Sequence, residues 1–295
     1  MRGLLTVILF IIFFFSFSIA IYTYSINLVF QADYVKNRLS ESKIYSVVAS
    51  ELPGFIERSR EGEDGLVPPE IKKEFEAFVK KEITAEYLQD KVEPFVGDTF
   101  EWLSGKTSTV PGLSFADLSV KLKKQPMAHF LSADITKVLN TPLKLPLEER
   151  ENWRSSFQLS QVAPVVLSVV SAIVLLVIFL MARDWKSKLR KASLALFIPA
   201  VLGLITAGLL VFIGSVIVGM ITGALVGSEF AQFEKPLGDL LTQIPVDVSV
   251  RIGVIYGAAL AVSAGLFVAS FFVSRSVQPG QKEEPLPATL PAAQK

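Results

Sequence analysis

Four runs without a charged residue set the pattern of this chain: 3–32, 162–182, 192–227 and 252–274. About 20 apolar residues in helical form cross the hydrocarbon core of a bilayer, so each run is long enough. Backbone amides in hydrocarbon must bond internally, which predicts helices throughout. The expected fold class is therefore an all-α membrane protein with four transmembrane helices, at 3–31, 162–182, 192–227 and 252–274. A helical extracytoplasmic domain, 32–161, separates the first two. A basic cytoplasmic loop (183–191), an extracytoplasmic loop (228–251) and a disordered, proline-containing cytoplasmic tail (275–295) complete the expected layout.

Two runs admit more than one reading. Arg2, the apolar run and Ser18-Ile19-Ala20 fit a cleavable signal peptide with a small-x-small site. The run stays apolar through Ile21–Phe30, which favours an uncleaved signal anchor. The third run holds 36 residues. As one helix it reaches ~54 Å at ~1.5 Å per residue, well beyond a core of ~30 Å. One long helix, bent near Pro199, is preferred to a hairpin of two short spans, because no polar turn interrupts it.

Between the first two spans the period changes. Ile71, Phe75, Phe78, Val79, Ile83, Tyr87, Leu88, Val92, Phe95, Val96, Phe100 and Leu103 recur in steps of three and four. They predict one helix from Pro69 to Leu103, kinked or divided at Pro94 and stopped at Gly105. A helix over Ser42–Leu52 is expected to end at Pro53-Gly54, and Glu57–Gly65 reads as a polar loop. Ser114 and Asp117 have capping-box spacing ahead of Leu118 and Leu122. Further helices are expected at Leu131–Leu139 and Leu147–Gln161, the second running into the second span. No stretch alternates as a strand. In the loop before the fourth span, Phe230, Phe233, Leu237, Leu240, Leu241 and Ile244 form a helical stripe, expected to dock on the large domain and to be broken at Pro236.

Charge gives the expected orientation. Arg183–Lys191 (RDWKSKLRK) carries five Lys/Arg against one Asp, and short loops this basic stay cytoplasmic. That places both termini inside and 32–161 outside, in a plasma membrane. The outer segment 31–161 holds 18 Lys+Arg and 21 Asp+Glu, and it has no basic stripe of the kind that binds nucleic acid. Hydrophobic residues make up 51% of the 295, too many for an ordinary soluble protein.

The chemistry on offer is sparse. Without cysteine there is no disulfide, thiolate catalysis or Fe–S ligation. His129 is the only histidine, so a multi-histidine metal site is excluded, and no nucleophile elbow or phosphate-binding loop is present. Glu82, Glu86, Asp90 and Glu93 read as the solvated face of a helix, and Lys121, Lys123 and Lys124 likewise. The spans carry no ionisable Asp, Glu, Lys, Arg or His, which proton-coupled transport and charged pores usually need. Their Ser, Thr, Tyr and Asn residues suit ordinary interhelical hydrogen bonding. No catalytic residue, metal site or cofactor is therefore expected.

The sharpest pattern is a ladder of small residues. Ser215, Gly219, Gly223 and Gly227 recur every fourth position in the third span, preceded by Gly203 and Ala207; Gly253, Gly257, Ala261, Gly265 and Ala269 do the same in the fourth. Such spacing lets helix backbones approach closely in lipid. The ladder is expected to pack spans three and four within one chain. The alternative is a homo-oligomer or a membrane-protein partner. The runs Leu39–Pro53 (LSESKIYSVVASELP) and Glu101–Lys123 (EWLSGKTSTVPGLSFADLSVKLK), with the span–insert–three spans layout, resemble uncharacterised prokaryotic multi-span membrane proteins with a large extracytoplasmic insert. Trp102, Leu103, Gly105, Lys106, Asp117 and Leu118 fit, and the resemblance implies layout without an activity. The expected role is a non-enzymatic envelope scaffold, partner-binding or accessory subunit. The alternatives are an extracytoplasmic sensor or channel-like protein, and a membrane enzyme on lipid or envelope polymer.

Overall fold

The computed structural model describes residues 2–58, 69–126, 141, 143–144, 150–225 and 231–273. Gly227, His129, the expected Leu131–Leu139 helix, most of the Glu57–Gly65 loop and the tail lie outside them. Four helices are long and apolar enough to cross a membrane. They are α1 (Arg2–Ile26), α7 (Arg150–Leu180), α8 (Trp185–Gly223) and α9 (Glu234–Phe272). A helical headpiece lies between α1 and α7. It contains α2 (Ala32–Glu41), α3 (Ile44–Arg58), α4 (Pro69–Glu82), α5 (Ala85–Leu103) and α6 (Ala116–Lys123).

The headpiece core follows the stripe read in the sequence as far as Val92. Tyr45, Phe75, Phe78, Val79, Ile83, Leu88, Leu118 and Leu122 form one buried cluster drawn from α3 to α6. The expected single helix from Pro69 to Leu103 is two. The break falls at Thr84, not Pro94, because Thr84 caps a new helix: its hydroxyl accepts from the Tyr87 amide at 3.1 Å. Pro94 sits inside α5 on an exposed face. Past it the stripe changes partner: Phe100 packs on Phe157 of α7 at 5.9 Å, and Phe157 on Phe30 at 6.1 Å.

α5 ends as expected at Gly105. Its φ of +82° is a left-handed conformation that glycine adopts without strain. The Lys106 amide bonds to the Glu101 carbonyl and the Gly105 amide to that of Trp102, both at 3.0 Å, closing a Schellman turn. Trp102 beside it is buried.

Other expectations are corrected. α3 runs through Pro53-Gly54 to Arg58, its face of Tyr45, Val48, Ala49 and Leu52 held in the core. Packing overrides the local breaker there. Ser114 does not cap α6 in the expected box; Phe115 holds the cap position, and Asp117 turns to Tyr87 and Lys91 instead. A short antiparallel pair also exists, β1 (Gly112–Leu113) with β2 (Leu143–Lys144). The basic segment is mostly the first turns of α8, capped by Asp184 on the Ser187 amide at 3.0 Å. Residues 234–251, expected as a loop, are helix continuous with the fourth span. Pro236 is tolerated in the first turn, where an amide would have no partner. The start of this helix reaches the headpiece, since Ala231–Phe233 touch α3 and α9 touches α2 and α3.

In the bundle α1 packs on α7, and α8 and α9 form an antiparallel hairpin that α1 and α7 flank. Phe13, Ile178, Ala195 and Leu196 fill one end of the core; Ile21, Ala200, Ala207, Val248, Ile252 and Tyr256 fill the other.

Candidate functional site

The α8–α9 contact is built from small residues, but not from the expected ladder. A side chain on Gly203 would lie 2.1 Å from the Tyr256 ring, and one on Gly214 would lie 2.5 Å from Pro245. Ala200 and Ala207 of α8 are buried against Val248, Ile252 and Tyr256 of α9. One end is clamped by serines: Ser193 Oγ donates to the Ser263 carbonyl and Ser263 Oγ to the Ser193 carbonyl, both at 2.9 Å. Across the bundle Ser171 Oγ donates to Ser16 Oγ at 2.8 Å, tying α7 to α1. Tyr256 is fully buried with ring contacts to Phe17 and Tyr22. Two pairs of span hydroxyls thus bond between helices, whereas Thr206, Ser215, Thr222 and Ser270 return to carbonyls of their own helix.

The ladder itself faces away. A Cβ built on Gly219, Gly223, Gly253, Gly257 or Gly265 meets nothing within 4 Å. Ser215, Ala261 and Ala269 are exposed. The expectation that these residues close the hairpin is therefore corrected, for a geometric reason. On α8 the contact follows Gly203, Ala207, Gly214 and Val218, a step of seven between the second and third. The strict step of four from Ser215 drifts round the helix, because four residues overshoot a turn of 3.6.

Beside the ladder of α8, large apolar side chains are exposed among the described residues. Phe212 is 66% exposed and Met220 70%, with Val216 and Ile213 also open. Opposite them, α9 carries Glu234, Lys235, Asp239, Asp247 and Arg251.

A polar clasp joins the headpiece to this part of α9. Asp247 Oδ2 accepts from Tyr34 Oη at 2.7 Å and from Arg38 at 2.5 Å, and Arg38 also pairs with Glu41 at 2.6 Å. Both Arg38 and Asp247 are roughly three-quarters buried in their side chains. Burial, then the bond to Asp247, pushes the Tyr34 phenol up to about 12. Burial works against the Arg38 charge, but its bonds to Asp247 and Tyr34 outweigh this and raise its pKa. Next to the clasp Arg251 stacks on Tyr24 of α1, 4.2 Å from the ring centroid. The sequence offered only a faint signal for this: a tyrosine and an arginine at i, i+4 on α2, and an acid just ahead of the fourth uncharged run.

The carboxylates of the headpiece are placed as a solvated face with two ties. Glu82 binds Lys121 at 2.6 Å, and Asp117 binds Tyr87 and Lys91 at 3.1 and 3.0 Å. Glu86 and Asp90 are exposed, as are Lys123 and Lys124. Partial burial disfavours the Asp117 charge, but the Lys91 and Tyr87 bonds overcome it and hold the carboxyl below its ordinary range. Among the described residues no group of three or more His, Cys, Asp or Glu is placed to hold a metal. Comparison with protein-family models, curated proteins and solved structures finds no match for the chain.

Proposed function

We propose that this chain is a non-enzymatic assembly subunit of a cell membrane, with both termini cytoplasmic and the headpiece outside. The basic start of α8 supports the orientation. Burial of Phe13 and Ser16 in the bundle supports an α1 that stays attached.

One observation carries the assembly reading: the outer part of α8 is apolar beyond the level at which α9 becomes charged. Tyr24 and Arg251 form a pair typical of a membrane–water interface. On α8 that level falls between Gly203, which meets Tyr256, and Gly214, which meets Pro245. The remainder of α8, with Phe212, Val216 and Met220 exposed beside Ser215, Gly219 and Gly223, then stands above the hydrocarbon with no cover from the described residues of its own chain. Large apolar patches in water mark interaction surfaces, and bare glycines allow a second helix to come close.

Single cysteines test this, because the chain has none of its own. Gly223→Cys in native membranes is expected to give a disulfide-linked dimer, or a crosslink to a partner under a bifunctional reagent. Monomer alone, with no partner recovered after crosslinking, would sink the proposal.

A sensing role is the second reading. It rests on the Tyr34–Arg38–Asp247 clasp, through which a displacement of the headpiece would reach the fourth span.

A further inference from the structure

At the opposite end of the hairpin a cavity of about 630 Å³ opens between α8 and α9. Leu194, Phe197, Ala264 and Phe267 form its apolar wall, and Ser193 and Ser263 its floor. Among the described residues the one charged side chain in its lining is Arg190. The guanidinium carbon lies 5.4 Å from the Phe271 ring, which holds it at the mouth. Ser193 and Ser263 are bonded to each other, so the cavity offers a cation and hydrocarbon contact, with no polar recognition at depth.

We propose that this cavity binds one anionic phospholipid of the leaflet that the basic turns of α8 face. The headgroup phosphate would pair with Arg190, and an acyl chain would lie along Leu194, Phe197 and Phe267. Two observations choose this occupant. The wall is apolar and opens sideways from helices long enough to span a membrane, where an acyl chain is the neighbour at hand. The charge is complementary: Arg183, Lys186, Lys188, Arg190 and Lys191 stand against Asp184 alone. Basic pockets between membrane helices suit anionic headgroups. Arginine suits phosphate in particular, because its planar fork gives two parallel hydrogen bonds.

Lys188 provides an internal control. Its ammonium lies 4.9 Å from the Trp185 ring centroid and 5.6 Å from that of Phe179, away from the cavity lining. Arg190→Gln and Lys188→Gln remove the same charge from the same turn of sequence, but only the first touches the proposed site.

The test is native mass spectrometry of the full chain, titrated in detergent with phosphatidylglycerol or phosphatidylcholine. One phosphatidylglycerol is expected to bind in preference to phosphatidylcholine. Arg190→Gln should lower that preference about five- to tenfold, while Lys188→Gln leaves it near the starting value. Ala264→Trp, which fills the cavity and keeps every charge, should abolish the bound lipid. Equal losses from Arg190→Gln and Lys188→Gln would overturn the proposal in favour of diffuse attraction to the basic turns. Retention of the lipid in Ala264→Trp, or no preference in the unaltered chain, would overturn it too. Displacement of the bound lipid by free inorganic phosphate would show an anion site instead and overturn it.

Discussion

Gly203 and Tyr256 are a fitted pair. The ring occupies the space a side chain at 203 would need, and it is buried too deeply to swing away. Gly203→Ala is therefore expected to destabilise the hairpin by about 1–3 kcal/mol, the usual cost of overpacking. Gly219→Ala has open space around it and should fall within about 0.5 kcal/mol of the parent. Thermal unfolding of the two variants in detergent checks this; equal losses would mean that the packing faces are misassigned. Asp117 gives a pH prediction. Its folded pKa is lowered, so its contribution is present above the unfolded value of about 4 and is lost as pH falls through the folded one. Hydrogen exchange in α5 and α6 should accelerate below about pH 4, and Asp117→Asn should remove the part of that change due to this carboxylate. An unchanged profile in the variant would assign the acid sensitivity elsewhere.

At the scale of elements, the clasp decides how firmly the headpiece sits. Arg38 and Asp247 are largely buried and join α2 to α9. A double-mutant cycle with Arg38→Ala and Asp247→Ala is expected to show a coupling of about 1–2 kcal/mol, above the usual exposed pair. A value near zero would remove the clasp as a mechanical link. Tyr34 supplies a second readout, since its phenol is pushed up to about 12. Asp247→Asn should lower its ionisation in part, since burial, the larger cause, remains, and phenolate absorbance follows the change.

The elements were legible in the sequence to different depths. The four long helices were plain from the uncharged runs, because hydrocarbon leaves the backbone no alternative. Gly105 was legible as a stop, since few residues adopt its conformation. The division at Thr84 was not, because the apolar stripe continues unbroken across it and only the cap marks the new start. The apolar stripe through Leu237, Leu240, Leu241 and Ile244 gave a helix within 234–251, but Pro236 and the charges concealed its continuity with the fourth span in α9. The packing residues were read in part: Gly203 and Ala207 lie in the contact, but the regular step of four drew attention to Gly219 and Gly257, while the contact continues through Gly214 after a step of seven. The clasp joins residues more than 200 positions apart, a pairing no local pattern can announce.

For the whole molecule, the α8–α9 hairpin is the organising unit: one face closes it, one end carries the basic turns, and the other end rises toward the headpiece. At ~1.5 Å per residue each of its helices is ~58 Å long, against ~30 Å of hydrocarbon. About half of each must therefore lie outside the core or tilt steeply within it. In the proposed assembly, protein covers the outer half of α8 and lipid covers the rest. The most direct test places a photo-crosslinking amino acid at Phe212, Val216 and Met220, and at Leu194 and Val254 for contrast, in cells carrying the full chain. The account predicts discrete protein–protein adducts from the first three and lipid adducts alone from the last two. Lipid adducts alone at all five positions would contradict it.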